Sequence, residues 1–283
     1  MINQLSIIGL GLMGGSVALA AKQHNVCKKI VAYDINEIPL HKAKALNIID
    51  DYSTDINTAI AHADMILLAT SVQASVDAVA QINTTIHADT ILTDVASVKA
   101  FMIEKITAIL GEKQIYYVPG HPIAGSEKSG IDAARADLFI NQQLILTPTE
   151  TTDANAFSKV KQFWQQLGAK VIIMDAATHD KIFAMVSHLP QLLAYALMNT
   201  VGDNKDYTKH IYKGFNEITR IAASDPNMWA DIYLTNKANV LDALNQLQQQ
   251  ISAITTAINK QDSHFLQKSF AQSKAYKLAI NSK

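Results

Sequence analysis

Cysteine is almost absent: Cys27 is the only one in 283 residues. That excludes a disulfide framework and a thiolate metal site, calls for no metal, and suits a reducing compartment. Arginine is nearly as scarce, with Arg135 and Arg220 standing alone among 24 basic residues. Excess charge is missing too, since 24 basic and 25 acidic side chains leave a net charge of −1; a nucleic-acid binder would show a basic footprint. Charged residues make up 17% and apolar ones 49%, a balance that excludes disorder. No window holds 18 uninterrupted strongly apolar residues, so no transmembrane helix is expected. The uncharged residues 1–21 follow no basic segment and are broken by Gly9, Gly11, Gly14 and Gly15, unlike a secretory signal. The expected location is the cytoplasm, with no membrane partner.

What is present is an alternation. Short apolar runs at 5–10, 29–34, 64–70, 90–95, 115–118, 143–147 and 170–174 read as strands. Most are continuous, as strands covered on both faces are. Helical patterns at 14–23, 98–110 and 154–167 separate them, which predicts a parallel sheet with crossover helices. Past residue 175 the strand pattern stops, and long helices are expected over 179–199 and 236–260. The expected fold is α/β: a Rossmann-type dinucleotide-binding domain over 1–175, then an all-helical substrate and dimerisation domain over 176–283. In the last helix Val240, Leu244, Leu247, Ile251, Ile254 and Ile258 step by four and three. That spacing fits a seam, either an ordinary core face or a helix pair across a homodimer.

Gly9-Leu-Gly-Leu-Met-Gly14 follows the first strand and opens a helix. A dinucleotide site needs this context: one glycine for the turn, one for approach of the pyrophosphate, one for helix–strand packing. The helix start adds free N–H groups and a partial positive charge. Asp34 ends the second strand 20 residues after Gly14, with no Arg or Lys in the next five residues. A carboxylate there accepts the ribose 2′-OH of NAD and repels the 2′-phosphate of NADP; the alternative is a cap for the next helix. The cofactor set is therefore Gly9, Leu10, Gly11, Leu12, Met13, Gly14 and Asp34, with Ser71 after a later strand, and the cofactor is NAD.

The glycine fingerprint alone suits several dehydrogenase families. The segments Asp94-Val-Ala-Ser-Val-Lys99, Gly120-His-Pro-Ile-Ala-Gly-Ser-Glu-Lys-Ser-Gly130, Thr178-His-Asp180, Ser187-His-Leu-Pro190 and Gly214-Phe-Asn-Glu-Ile-Thr-Arg220 are more specific. With Ser224-Asp-Pro-Asn-Met-Trp229, they resemble the prephenate dehydrogenase family, which includes arogenate dehydrogenases, over residues 5–240. The resemblance implies NAD-dependent oxidative decarboxylation of prephenate to 4-hydroxyphenylpyruvate, in tyrosine biosynthesis. It implies His121 as the base and Ser97 as the partner of the substrate hydroxyl. Outside the resemblance these would read as a turn histidine and a helix-start serine.

Arg220 is the expected carboxylate anchor, because a guanidinium binds a carboxylate through two parallel hydrogen bonds. A structural salt bridge is the plainer alternative. By the same resemblance Glu127, Asp180 and Glu217 order the site entrance, or are only surface acids or caps. Trp229 reaches the neighbouring subunit's site in family dimers, or is a core tryptophan. His188 lies near the nicotinamide or packs. Two departures stand out: Gln191 where many members have histidine, and Asn216 where many have a basic residue. They leave the choice between prephenate and arogenate open, along with feedback inhibition by tyrosine. A dual-specificity cyclohexadienyl dehydrogenase and a non-catalytic NAD-binding dimer are the competing readings.

Overall fold

The computed structural model describes residues 1–126 and 128–281. Its strands are β1 (Ile2–Ile8), β2 (Cys27–Tyr33), β3 (Asp51–Tyr52), β4 (Met65–Leu68), β5 (Ile91–Asp94), β6 (Tyr116–Val118), β7 (Gly120–Pro122), β8 (Gln143–Leu146) and β9 (Lys170–Ile173). Helices α1 (Leu12–Gln23), α2 (Glu37–Ala45), α3 (Ile56–Ile60), α4 (Val72–Ile82), α5 (Ala100–Leu110) and α6 (Ala154–Gln166) alternate with them. Then come α7 (Ala176–Phe183), α8 (Leu189–Val201), α9 (Lys205–Thr208), α10 (Lys213–Thr219), α11 (Pro226–Thr235), α12 (Lys237–Asn259) and α13 (Ser263–Asn281).

Strands β1 to β6 form one sheet in the order β3-β2-β1-β4-β5-β6, and every pair in it is parallel. This is the doubly wound order of dinucleotide-binding sheets, with the topological switch between β1 and β4. Side chains alternate across it as the two-residue period requires. Leu5, Ile7, Met65 and Leu67 join one core with α1 and α6, while Ile8, Ile66, Leu68 and Leu92 join another with α3, α4 and α5. Both faces are thus covered, which is why the strands read as continuous apolar runs.

The expectation of one parallel sheet needs a correction. Strands β7, β8 and β9 form a second, three-stranded sheet, in which β7 runs antiparallel to β8. β7 is three residues long and ends in proline, too short to show a period. Gly120 lets it pass close to the end of β5, since a Cβ there would lie 3.1 Å from the Asp94 carbonyl oxygen.

A π turn at Ala184–His188 joins α7 to α8, so Ala176–Val201 is one 26-residue helix. It is long and apolar enough, by length and composition, to cross a membrane, contrary to the expectation from uninterrupted runs. Its polar residues His179, Asp180, His188 and Gln191 are buried and hydrogen-bonded within the protein, while Ile182, Met185, Val186 and Leu193 are exposed.

By contact the chain forms two compact units, Met1–Lys237 and Ala238–Lys283. The helices from α7 to α11 belong to the first unit because they pack on the sheet domain, α7 against α5 and α11 against α4. The second unit holds nearly all of α12, together with α13. In it Leu241, Ile251, Ile258, Phe265 and Phe270 are exposed.

Candidate active site

Two glycines of the turn after β1 leave no room for a side chain. Gly9 sits at φ +94°, and a Cβ there would lie 2.6 Å from Thr70 Cγ2; a Cβ on Gly14 would lie 2.0 Å from the Gly9 carbonyl oxygen. A Cβ on Gly11 would meet nothing within 4 Å, so the turn leaves open space there. Gly11 is the N-cap of α1, whose first turn has no acidic residue. Asp34 braces the turn, accepting from Leu10 N at 2.7 Å and Asn36 N at 2.9 Å. It does not cap α2; Asn36 does, accepting from Ile38 N. A carboxylate has about four lone-pair sites, so Asp34 can still accept from a ribose hydroxyl.

A cavity of about 610 Å3 opens beside this turn. Gly11, Leu12 and Met13 line it after β1 and Ser71 after β4, so it lies at the switch point. Ser97 and His121 line it as well. A larger hollow of about 980 Å3 lies at the starts of β1, β4 and β5. Open parallel sheets bind ligands at the carboxyl ends of their strands, which selects the smaller cavity.

Behind the wall lies a buried polar network. Asp94, at the end of β5, pairs with the fully buried Lys99 and accepts from Tyr117 Oη at 2.7 Å and Ala96 N at 2.8 Å. Lys99 Nζ also donates to the Gly120 carbonyl at 2.6 Å. Burial pulls the Lys99 ammonium below its usual range, against the pull of Asp94. The next residue, His121, has its Nδ1 2.8 Å from His179 Nε2, and His179 Nδ1 lies 2.8 Å from Asp180 Oδ1. Phe183 packs on both rings. Burial, then His179, Lys99 and His188, hold the His121 imidazole well below 6.5, so it is neutral at physiological pH.

Several expected roles change. Asp180 does not order an entrance: it is buried and accepts from Lys99 N at 2.8 Å and Ala100 N at 2.9 Å, capping α5. Gln191 is not poised for substrate, because it is buried and its amide donates to the Ile221 carbonyl at 2.8 Å. It anchors the 3₁₀ turn Arg220–Ala223 instead. His188 is buried behind the cavity lining, beside Asn236 and edge-on to Trp229. Glu217 is exposed on α10 and faces Lys213 at 3.7 Å.

Trp229 lines the cavity in its own chain, where α11 packs on α4. Its indole N–H is buried, and no described residue accepts it. Arg220 is exposed and is not among the lining residues; it starts the turn that leads to Ser224, which is. Glu127 lies outside the described residues. Sequence reasoning missed Lys128, a cation on the cavity wall, and His179 and Lys99 behind it. The last two each stand close to an acid in the quoted motifs.

The family model described as "Prephenate dehydrogenase, nucleotide-binding domain" matches residues 17–173, and "Prephenate dehydrogenase, dimerization domain" matches 175–272. The chain belongs to the prephenate dehydrogenase family. Members of this family are NAD-dependent oxidoreductases. Among its relatives, the cyclohexadienyl dehydrogenase of Zymomonas mobilis is 35% identical, covering 98% of this chain and 96% of that one. The prephenate dehydrogenase of Bacillus subtilis is 32% identical over 98% of this chain and 76% of its own. The prephenate dehydrogenase of Aquifex aeolicus, solved with hydroxyphenyl propionate and NAD+, superimposes with a TM-score of 0.92 at 33% identity, covering 99% of each chain.

Proposed function

We propose that His121 is the general base for oxidation of prephenate to 4-hydroxyphenylpyruvate, with loss of carbon dioxide. The observation that carries this reading is a neutral imidazole in the wall of the cavity that also holds the glycine turn. Gly11, Leu12, Met13 and Ser71 would hold the cofactor; Gly9, Leu10 and Gly14 shape its turn, and Asp34 takes the ribose. NAD, when bound, accepts hydride from the ring carbon that bears the hydroxyl. Ser97 orients that hydroxyl, and His121 takes its proton as the carbonyl forms. When the ring carboxylate leaves as carbon dioxide, the electron pair flows to the ring oxygen, which takes the proton back. No net proton leaves the site, so a base with little exposure to bulk water suits the reaction.

Lys128 on the cavity wall and Arg220 on the turn before Ser224 would face the two substrate carboxylates, and the Trp229 N–H a further oxygen. His188, Gln191 and Asp180 support these groups from behind. Glu217 is not among the residues that line the cavity, which leaves the ammonium of arogenate without that partner and favours prephenate. Dual specificity keeps one observation in its favour: Asp225 also lines the cavity, though it accepts from Asn227 N and Met228 N. Tyrosine carries the product's hydroxyphenyl group and is proposed as an inhibitor at the same cavity. The proposed domains are 1–175 and 176–283, the second forming a homodimer, and the proposed location is the cytoplasm.

Initial rates with prephenate and arogenate, each with NAD and NADP, test the reading. NAD and prephenate should be preferred, NAD by more than about tenfold, or ~1.4 kcal/mol. His121→Asn should bind NAD and lose about 10²–10⁴-fold in kcat; retention of more than a tenth of the rate overturns the assignment. Arg220 is exposed in this chain; if bound substrate buries it against a carboxylate, Arg220→Gln should raise the KM for prephenate about thirtyfold, the low end for such a pair left with one partner. Arg135→Gln is the control, because that guanidinium already forks onto Asp137 at 2.5 and 2.9 Å.

A further inference from the structure

We propose that His179 is a positioning residue that fixes the tautomer of His121, with Asp180 fixing His179 in turn. This rests on the reading of His121 as the base and specifies how it is held. The argument is a chain of donors and acceptors. Asp180 receives the Lys99 and Ala100 amides on its two oxygens at the start of α5, where the helix dipole favours negative charge. A carboxylate only accepts, so His179 must donate to it from Nδ1 across 2.8 Å. A neutral imidazole has one donor and one acceptor, which makes His179 Nε2 an acceptor. His121 Nδ1, 2.8 Å away, must therefore carry hydrogen. The lone pair of His121 is then on Nε2, the nitrogen left for the cavity that the ring lines.

The opposite arrangement would need a charged His179. Burial is the largest influence against that charge, and the Lys99 ammonium adds to it, while Asp180 and Asp94 favour it. The groups facing the pair are Asp94 at the end of β5, Lys99 just before α5, Asp180 on α7, and His188 on the π turn. Phe183 stacks on His179, with ring centroids 4.6 Å apart, which sets the plane of the ring. When Nε2 takes the substrate proton, the resulting imidazolium keeps its Nδ1–H bond to His179. That proton then returns to the ring oxygen from Nε2, so nothing has to pass along the pair to solvent.

The direct test is nitrogen NMR of the full-length enzyme labelled with 15N-histidine at neutral pH, with His121→Asn used to assign its signals. We expect His121 Nδ1 to be protonated and Nε2 bare; hydrogen on Nε2 overturns the proposal. This reading needs no turnover, so it separates the proposal from the base assignment. If His121→Asn stays active while the wild-type tautomer is as stated, only the base assignment fails. In kinetics, His179→Phe keeps the stacked ring but loses the acceptor. It should lower kcat by on the order of 10²-fold or more, as a wrong tautomer does in other His-dependent enzymes. KM should barely move, because His179 does not line the cavity. His179→Gln, which restores a carbonyl acceptor, should recover part of kcat. A His179→Phe enzyme within about threefold of wild-type kcat also overturns the proposal.

Discussion

At the scale of single residues, two glycines in one turn should behave differently. Gly14→Ala forces a Cβ against the Gly9 carbonyl oxygen at 2.0 Å, so it should lower the melting temperature as well as NAD affinity. Gly11→Ala meets nothing within 4 Å and should melt within a few degrees of wild type. Its methyl would enter the open space proposed for the pyrophosphate, and calorimetry should show NAD binding weakened by about tenfold or more.

Acidification should act on the folded state in a way set by buried histidines. The His188 imidazole is pulled down to about 4, first by burial, while an unfolded chain titrates it near 6.5. Between those values the unfolded state binds the proton and the folded state does not, so unfolding takes up protons. Stability is therefore intact above about pH 6.5 and falls as pH drops toward 4, by about 3 kcal/mol from this group. Urea melts at pH 7.5 and 4.5 should show it, with a shallower loss in His188→Asn. Catalysis should resist acid further than an ordinary histidine allows, because His121 is also held down. An acid limb of kcat/KM at or above pH 6.5 would contradict that.

Among elements, the short turn Arg220–Ala223 depends on a neighbour for its position. Gln191 on α8 holds it through Ile221, and Tyr195 holds Ser224 by a 2.9 Å bond to its carbonyl. Gln191→Leu removes one neutral hydrogen bond, typically ~0.5–1.5 kcal/mol. If that energy positions Arg220, the KM for prephenate should rise up to about tenfold with kcat within twofold. An unchanged KM would sever Gln191 from substrate binding.

Elements also show what the sequence could reveal. The parallel sheet was legible because strands covered on both faces leave long apolar runs, as in β1 and β4. β7 was not, since three residues carry no period and its pairing is set by tertiary contact. The glycine turn, His121 and Ser97 were legible from motif and context. His179 was not, because a histidine beside an acid acquires its role only when α7 lies against β7. For Gln191 the sequence leaves the partner of its amide open, a ligand or a carbonyl; packing gives it the Ile221 carbonyl.

For the whole molecule, the expected assembly is a pair. The dimerization-domain match covers 175–272, and Ile251 and Ile258 of the predicted seam stand exposed on α12, with Phe265 and Phe270 on α13. Val240 is buried and Leu244, Leu247 and Ile254 are half-buried, so the seam is only partly covered within one chain. Light scattering at micromolar concentration should give twice the 30.9 kDa chain mass. Ile251→Lys with Ile258→Lys should shift it toward one chain; a wild-type monomer would remove the assembly.

The cap on α5 has a consequence in time. Lys99, the residue before this helix, provides no side-chain cap. The acceptor comes from Asp180, 81 positions further along. During synthesis the helix start therefore exists before the group that closes it. Closing so long a loop carries an entropic cost that must be met before the contact rewards it. The early β-α-β half can assemble first, but the last turn of order, in which His179 arrives beside His121, waits for α7. The corner that holds His121 should thereby be among the late parts of the fold to form, completed by the same contact that finishes a helix begun much earlier in the chain.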